Sequence, residues 1–281
     1  MDAPEIMARS MSTPQETGKS KALWQYHSRS DRHSKVSCWG VLFDLLRESA
    51  LLREHVRDGK VFFGVNHPMV DYVHRKKKNL DLVVCRPQTP WRGRNLLQLA
   101  AEYKVRLTPA QAAELGKLPV MLEAEVGAVL VALEAKACMT KHSASVPRLY
   151  DELNSSHQIV HGASNNALSI GMVTVNVAHE FVSPDRNKFF DPAMRTDISK
   201  HGQPRAAESI VNMVGDLPRR TSTSAVGYDG LGIVALDVRN DNVASVTVHT
   251  AHPAPKPGDI FHYETMLRRM ANEYDSAFSR I

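Results

Sequence analysis

The hydrophobic positions along this chain change period several times, and the changes mark out its elements. The clearest stretch is Val129-Leu130-Val131-Ala132-Leu133-Glu134-Ala135-Lys136-Ala137, an apolar run after Gly127 that ends in an acid, a spacer and a lysine. A run of this kind reads as a strand buried on both faces. Side chains two apart on a strand project from the same face, so Glu134 and Lys136 share one. Unpaired charge is costly to bury, so the two must pair with each other or bind something.

On either side of this strand the chain divides into further elements. Residues 1–34 are rich in Ser, Thr, Lys, Arg and His and read as a flexible basic arm. Over 36–57 Cys38, Val41, Leu42, Leu45, Leu52 and Val56 recur at helical spacing, with Glu48 at the edge of the stripe and Asp58-Gly59 as its stop. Residues 60–66 and 80–85 read as strands, the second carrying Asp81 as its only charge, and Arg75-Lys76-Lys77-Lys78 lies between them. That basic run is either a solvated hairpin tip or a phosphate contact beside a reacting centre. Residues 87–119 interrupt the strands with a loop, a short helix from Asn95 and a helix start at Thr108-Pro109. Glu123 and Glu125 then lead into the central strand.

Beyond it, a helix over 147–161 places Leu149, Leu153, Ser156, His157 and Val160 on its inner side. Strands follow over 169–178, 232–238 and 246–248, with helices over 206–214 and 261–279. The alternation predicts an α/β fold with a mixed central sheet flanked by helices. The expected division is an arm over 1–34 and one domain over 35–281. Its core spans about 36–180 with an insertion at 87–119, and 181–281 form a C-terminal extension.

Composition narrows the partners. A hydrophobic fraction of 43% in 281 residues supports a full core. Thirty-five Lys and Arg against 30 Asp and Glu leave a net charge of +5, which favours anionic partners. Three cysteines without close spacing give no disulfide framework and suit a reducing, cytoplasmic setting. No apolar run approaches the ~18 residues of a membrane span, so no membrane partner is expected.

An acid beside a lysine suits a carboxylate that holds Mg²⁺ (or Mn²⁺) next to an ammonium that aligns a water. His157 and His161, four apart, have the spacing of a shared zinc, with Glu180 or His179 as a third ligand. The sequence between them lacks the glutamate that a zinc protease uses as base.

A leading helix, a strand acid, a strand ending in Glu-x-Lys, a helix and another strand together resemble the PD-(D/E)xK nuclease superfamily, over about 36–178. Leu80-Asp81 stands where that family has Pro-Asp. The resemblance implies a restriction-endonuclease-like fold and a Mg²⁺-dependent DNA endonuclease, most plausibly of the restriction type. It assigns Asp81, Glu134 and Lys136 as catalytic. Asp81 and Glu134 are its metal ligands, with Glu125, Glu123 and Glu48 as substitutes. Arg75, Lys76, Lys77, Lys78, Arg92, Arg94, Arg219 and Arg220 are the candidates for contact with double-stranded DNA, and a palindromic target implies a homodimer. The competing expectations are a DNA-binding protein in which Glu134 and Lys136 form a structural ion pair, and a zinc hydrolase built on His157 and His161.

Overall fold

The computed structural model describes residues 1–17, 22–70, 77–89, 93–187, 196–222 and 225–281. In chain order the elements begin with α1 (Ala3–Ser12), β1 (Gln15–Thr17), β2 (Ala22–Trp24), α2 (Arg32–Glu48), α3 (Ala50–Arg57), β3 (Phe62–Val70) and β4 (Lys77–Pro87). Next come α4 (Leu96–Glu102), α5 (Pro109–Leu115), β5 (Val126–Cys138), α6 (His142–Ala163), β6 (Leu168–Asn176), β7 (Glu180–Val182) and β8 (Ile198–Lys200). The chain closes with α7 (Arg205–Gly215), β9 (Gly230–Asp237), β10 (Thr247–Val248) and α8 (Tyr263–Ala277).

A six-stranded mixed sheet in the order β10-β9-β6-β5-β4-β3 forms the centre, as an α/β pattern requires. β3, β4 and β5 form an antiparallel meander. From β5 the chain crosses through α6 to β6, and β5, β6 and β9 run parallel. β10 closes one edge antiparallel to β9. The parallel centre explains the unbroken apolar runs: every residue of β6 is buried, and so is β5 from Val129 to Ala135. α1, α2 and α8 pack with one face of the sheet, where Leu42, Leu45 and Met270 meet Leu133, Ile170 and Leu236. α6 and α7 cover the other, bringing Leu153 and Ile210 against Val173 and Ile233.

Three features differ from the sequence reading. The stretch 36–57 is two helices, because Ser49 is extended (ψ 115°) and its side chain accepts from Leu52 N, capping α3. The section after residue 180, expected as an extension, supplies β9, β10 and α8 to the main sheet and core. Residues 3–12, placed in a flexible arm, form α1 with Ile6, Met7 and Met11 fully buried.

Two contacts fix α1 on α2. A Cβ on Gly40 would lie 2.7 Å from the Cβ of Ala3, so only glycine permits the close crossing. Asp44, with no exposed surface, accepts the backbone N–H groups of Asp2 and Ala3 at 2.9 Å each, the Tyr263 hydroxyl at 2.9 Å and the Arg47 guanidinium at 3.1 Å. Its carboxylate thus satisfies the open N-terminus of α1 and ties both chain ends to α2. Asp44→Ala strands these donors in the core, and urea unfolding should show a loss of about 2–4 kcal/mol. A loss below about 1 kcal/mol would mean that the apolar contacts alone hold α1.

Candidate functional site

Backbone pairing of β4 with β5 runs from Pro87 and Val126 to Leu82 and Leu133, and the next residue of each strand is an acid. There the side chain takes over from the main chain: Asp81 Oδ2 accepts the Ala135 N–H at 3.0 Å. Asp81 and Glu134 therefore stand side by side where the two strands part. Glu134 is 3% exposed, on the face of the sheet that α6 covers.

The Glu134 carboxylate is matched by two ammonium groups, Lys136 Nζ at 2.8 Å and Lys78 Nζ at 3.0 Å, both on Oε1. Lys78 also donates to the Glu152 carbonyl at 2.9 Å and to the Ser156 hydroxyl, so α6 is tied to β4 through this one side chain. The Glu152 carboxylate lies 3.7 Å from Lys136. Glu134 Oε2 is buried and has no hydrogen-bond partner among the described residues.

The charges shift one another. Burial, and then the neighbouring Glu134 charge, push the Asp81 carboxyl up to about 6. Burial works to lower Lys136, but Glu134, Asp81 and Glu152 outweigh it and the ammonium is held above its usual range. From α2, His33 is pushed down to about 4 by burial and then by the Lys136 charge. The Cys38 thiol is raised by burial and by Asp81 and Glu134. α2 packs on β4 and β5 from the opposite face of the sheet, with Cys38 among the residues clustered with Leu82 and Leu133.

The other sequence-derived candidates are spread out. Glu48 is exposed at the far end of α2, ten residues past Cys38 and so about 15 Å further along the axis. Glu123 is held by Arg94 at 2.7 and 2.8 Å, and exposed Glu125 sits beside Thr89. Both precede Val126, which is itself about 26 Å back along β5 from Glu134. None of the three joins Asp81 and Glu134.

The basic candidates divide similarly. Arg75, Lys76 and Arg92 lie outside the described residues. Lys77 is exposed, whereas Lys78 points into the site. Arg94 is consumed by Glu123 and Glu102. Exposed Arg219 lies over the Phe261 ring, 5.1 Å from its centroid. Arg220, expected at a DNA surface, is 3% exposed and bound to Asp229 at 2.7 Å and to the carbonyls of Asn165 and Ala167. It braces the fold because a buried guanidinium needs such a full set of acceptors.

His157 and His161 do not share a ligand. Their ring centroids are 6.4 Å apart, His157 Nε2 meets Asn154 Oδ1 at 2.9 Å, and His161 Nε2 meets the Gly227 carbonyl at 2.9 Å. Glu180 pairs with Arg239, and His179 is exposed. Among the described residues no three of His, Cys, Asp and Glu stand together as a metal-holding group. The three cysteines are buried and free, and no described helix is long and apolar enough to cross a membrane.

Sequence reasoning missed Glu152 and Ser156 as site neighbours, and it gave Lys78 to a DNA phosphate rather than to Glu134. The signal for Ser156 was its hydroxyl on the inner side of an otherwise apolar helix. The pairing of Lys78 with Glu134 carried no such signal, because strict alternation puts residues 78 and 81 on opposite faces of a strand. Comparison with family models, curated proteins and solved structures finds no match to this chain.

A carboxyl raised in the folded state stabilises the fold while protonated and loses that contribution as the pH rises through its folded value, here about 6. Asp81→Asn should therefore be more stable than the wild type at pH 8, by about 2 kcal/mol, with the gap closing towards pH 4. Urea unfolding at the two pH values reads this directly. A wild type more stable than the variant at pH 8 would show that the charge is favourable where it stands.

Proposed function

We propose that this protein is a divalent-metal-dependent endodeoxyribonuclease of the restriction type, with a restriction-endonuclease-like fold. The observation that carries the reading is the meeting of Asp81, Glu134 and Lys136 where β4 and β5 separate, with Glu134 Oε2 buried and unpartnered. The order of elements supports it: a helix, three antiparallel strands, a crossover helix and a strand parallel to the third.

The donor set suits a hard cation. Mg²⁺ takes oxygen ligands and is commonly held by one or two carboxylates with waters and substrate phosphates completing its shell. Asp81 and Glu134 would be those carboxylates, and the open Glu134 oxygen is the atom with no other use. A cation there supplies positive charge to the reacting phosphate and lowers the pKa of bound water.

The chain's own groups do the rest. Lys136 stays protonated, so it acts as a donor and a charge rather than as a base. Its ammonium orients the attacking water or a phosphate oxygen and stabilises the negative charge that develops as the P–O bond breaks. Above pH 7 Asp81 is ionised and able to bind metal. Exposed Lys77 and Arg219 are cations left to meet the DNA backbone, and two copies would serve a two-fold duplex site.

A second reading draws on the burial of Glu134 between two lysines: a DNA-binding protein without catalysis, in which the cluster is a structural ion pair. Incubation with plasmid and phage DNA, with Mg²⁺ or EDTA, separates the two. The nuclease yields discrete fragments only with metal, and Glu134→Ala and Lys136→Ala each lose at least about 100-fold in rate. DNA binding without cleavage, unchanged in both variants, would establish the binder.

A further inference from the structure

Two lysines share one oxygen of Glu134, yet their surroundings are unequal. An ammonium has three N–H donors. Lys78 donates to the Glu152 carbonyl and the Ser156 hydroxyl and pairs with Glu134 Oε1 at 3.0 Å, and its side chain is 17% exposed. Among the described residues Lys136 has one close partner, Glu134 Oε1 at 2.8 Å. Its other neighbour, Glu152 Oε2, is 3.7 Å away, beyond hydrogen-bond length, and its side chain is 24% exposed. One lysine is a closed coordination centre and the other keeps donors in reserve.

The carboxylate is lopsided in the same sense. Oε1 receives both ammonium groups and, among the described residues, Oε2 receives no hydrogen bond, although it is buried. A buried acceptor left open is expensive, and a stable fold keeps one where it serves a ligand.

We infer that Lys78 is the positioning residue of this site: anchored to α6, it holds Glu134 by Oε1 so that Oε2 stays available to a divalent cation, and Lys136 alone faces the substrate. The inference rests on the nuclease reading and assigns the two lysines different work within it.

The sign of one measurement distinguishes positioning from simple charge. Removing a nearby positive charge strengthens binding of a cation by Coulomb attraction. Removing the group that orients a metal ligand weakens it, typically by 10–100-fold. Lys78→Met does both. If Lys78 is a positioning residue, the second effect wins.

The experiment is Mn²⁺ binding to the full-length chain without DNA, read by the electron paramagnetic resonance of the free ion. The Mg²⁺ dependence of plasmid cleavage is measured beside it. Lys78→Met should raise the Kd for Mn²⁺ about tenfold and recover much of its cleavage rate at saturating Mg²⁺. Lys136→Met should bind Mn²⁺ as tightly as the wild type or more tightly, and lose rate at every Mg²⁺ concentration. Ser156→Ala removes an anchor of Lys78 while leaving every charge in place, and should raise the Kd several-fold. It decides the matter if Lys78→Met does not fold. Unchanged or tighter Mn²⁺ binding in Lys78→Met, or in Ser156→Ala where that variant decides, overturns the positioning role while a cleaving wild type keeps the nuclease. A wild type that neither binds Mn²⁺ nor cuts DNA removes both.

Discussion

Placing a carboxylate inside a sheet costs several kcal/mol unless its charge is matched where it sits. Glu134 is matched by ammonium groups from two strands, and one of those groups is itself held by a helix. β4, β5 and α6 therefore meet through one charge. If Lys78 were absent, the acid would lose a counter-ion and α6 would lose its polar link to β4. The same cluster forces the strands apart: the Ala135 N–H goes to the Asp81 side chain, leaving the β4 main chain unpaired with β5 from that point. The concentration of charge and the opening in the sheet are one feature.

This arrangement costs the fold stability. Asp81 has a raised pKa, Glu134 keeps a buried oxygen without a hydrogen-bond partner among the described residues, and burial lowers His33. Each is unfavourable for the fold taken alone. Such costs gather where a protein binds or reacts, and the surrounding apolar layers carry them. Here those layers are the wholly buried β6 on one side and the packing of α2 on β4 and β5 on the other.

The central strand was legible in the sequence because burial on both faces leaves an unbroken apolar run, and Glu134 and Lys136 were conspicuous against it. Asp81 was legible as a lone charge in a second such run. Lys78 was legible only as a basic residue near a reacting centre; its pairing with Glu134 depends on where β4 leaves β5, which is a property of the pair and not of either strand. α1 was written in the chain as Ala3, Ile6, Met7, Ser10 and Met11, a helical stripe. The polar composition of the surrounding 34 residues concealed it. Arg220 shows the opposite error: a basic dipeptide in a polar loop suggested a surface, and only the position of Asp229 reveals an internal brace.

The place of β6 in the sheet has a consequence for how the chain comes off the ribosome. β6 is buried along its whole length, but its second neighbour, β9, is synthesised more than fifty residues later. Until β9 emerges, β6 is an open edge of Leu, Ile, Met and Val with unpaired main-chain groups, the kind of template on which strands from other chains add. Parallel pairing across so long a connection also forms slowly. The nascent protein therefore has an interval in which its wholly buried strand lacks a partner, and its yield in a cell depends on what shields that edge until the last fifth of the chain arrives.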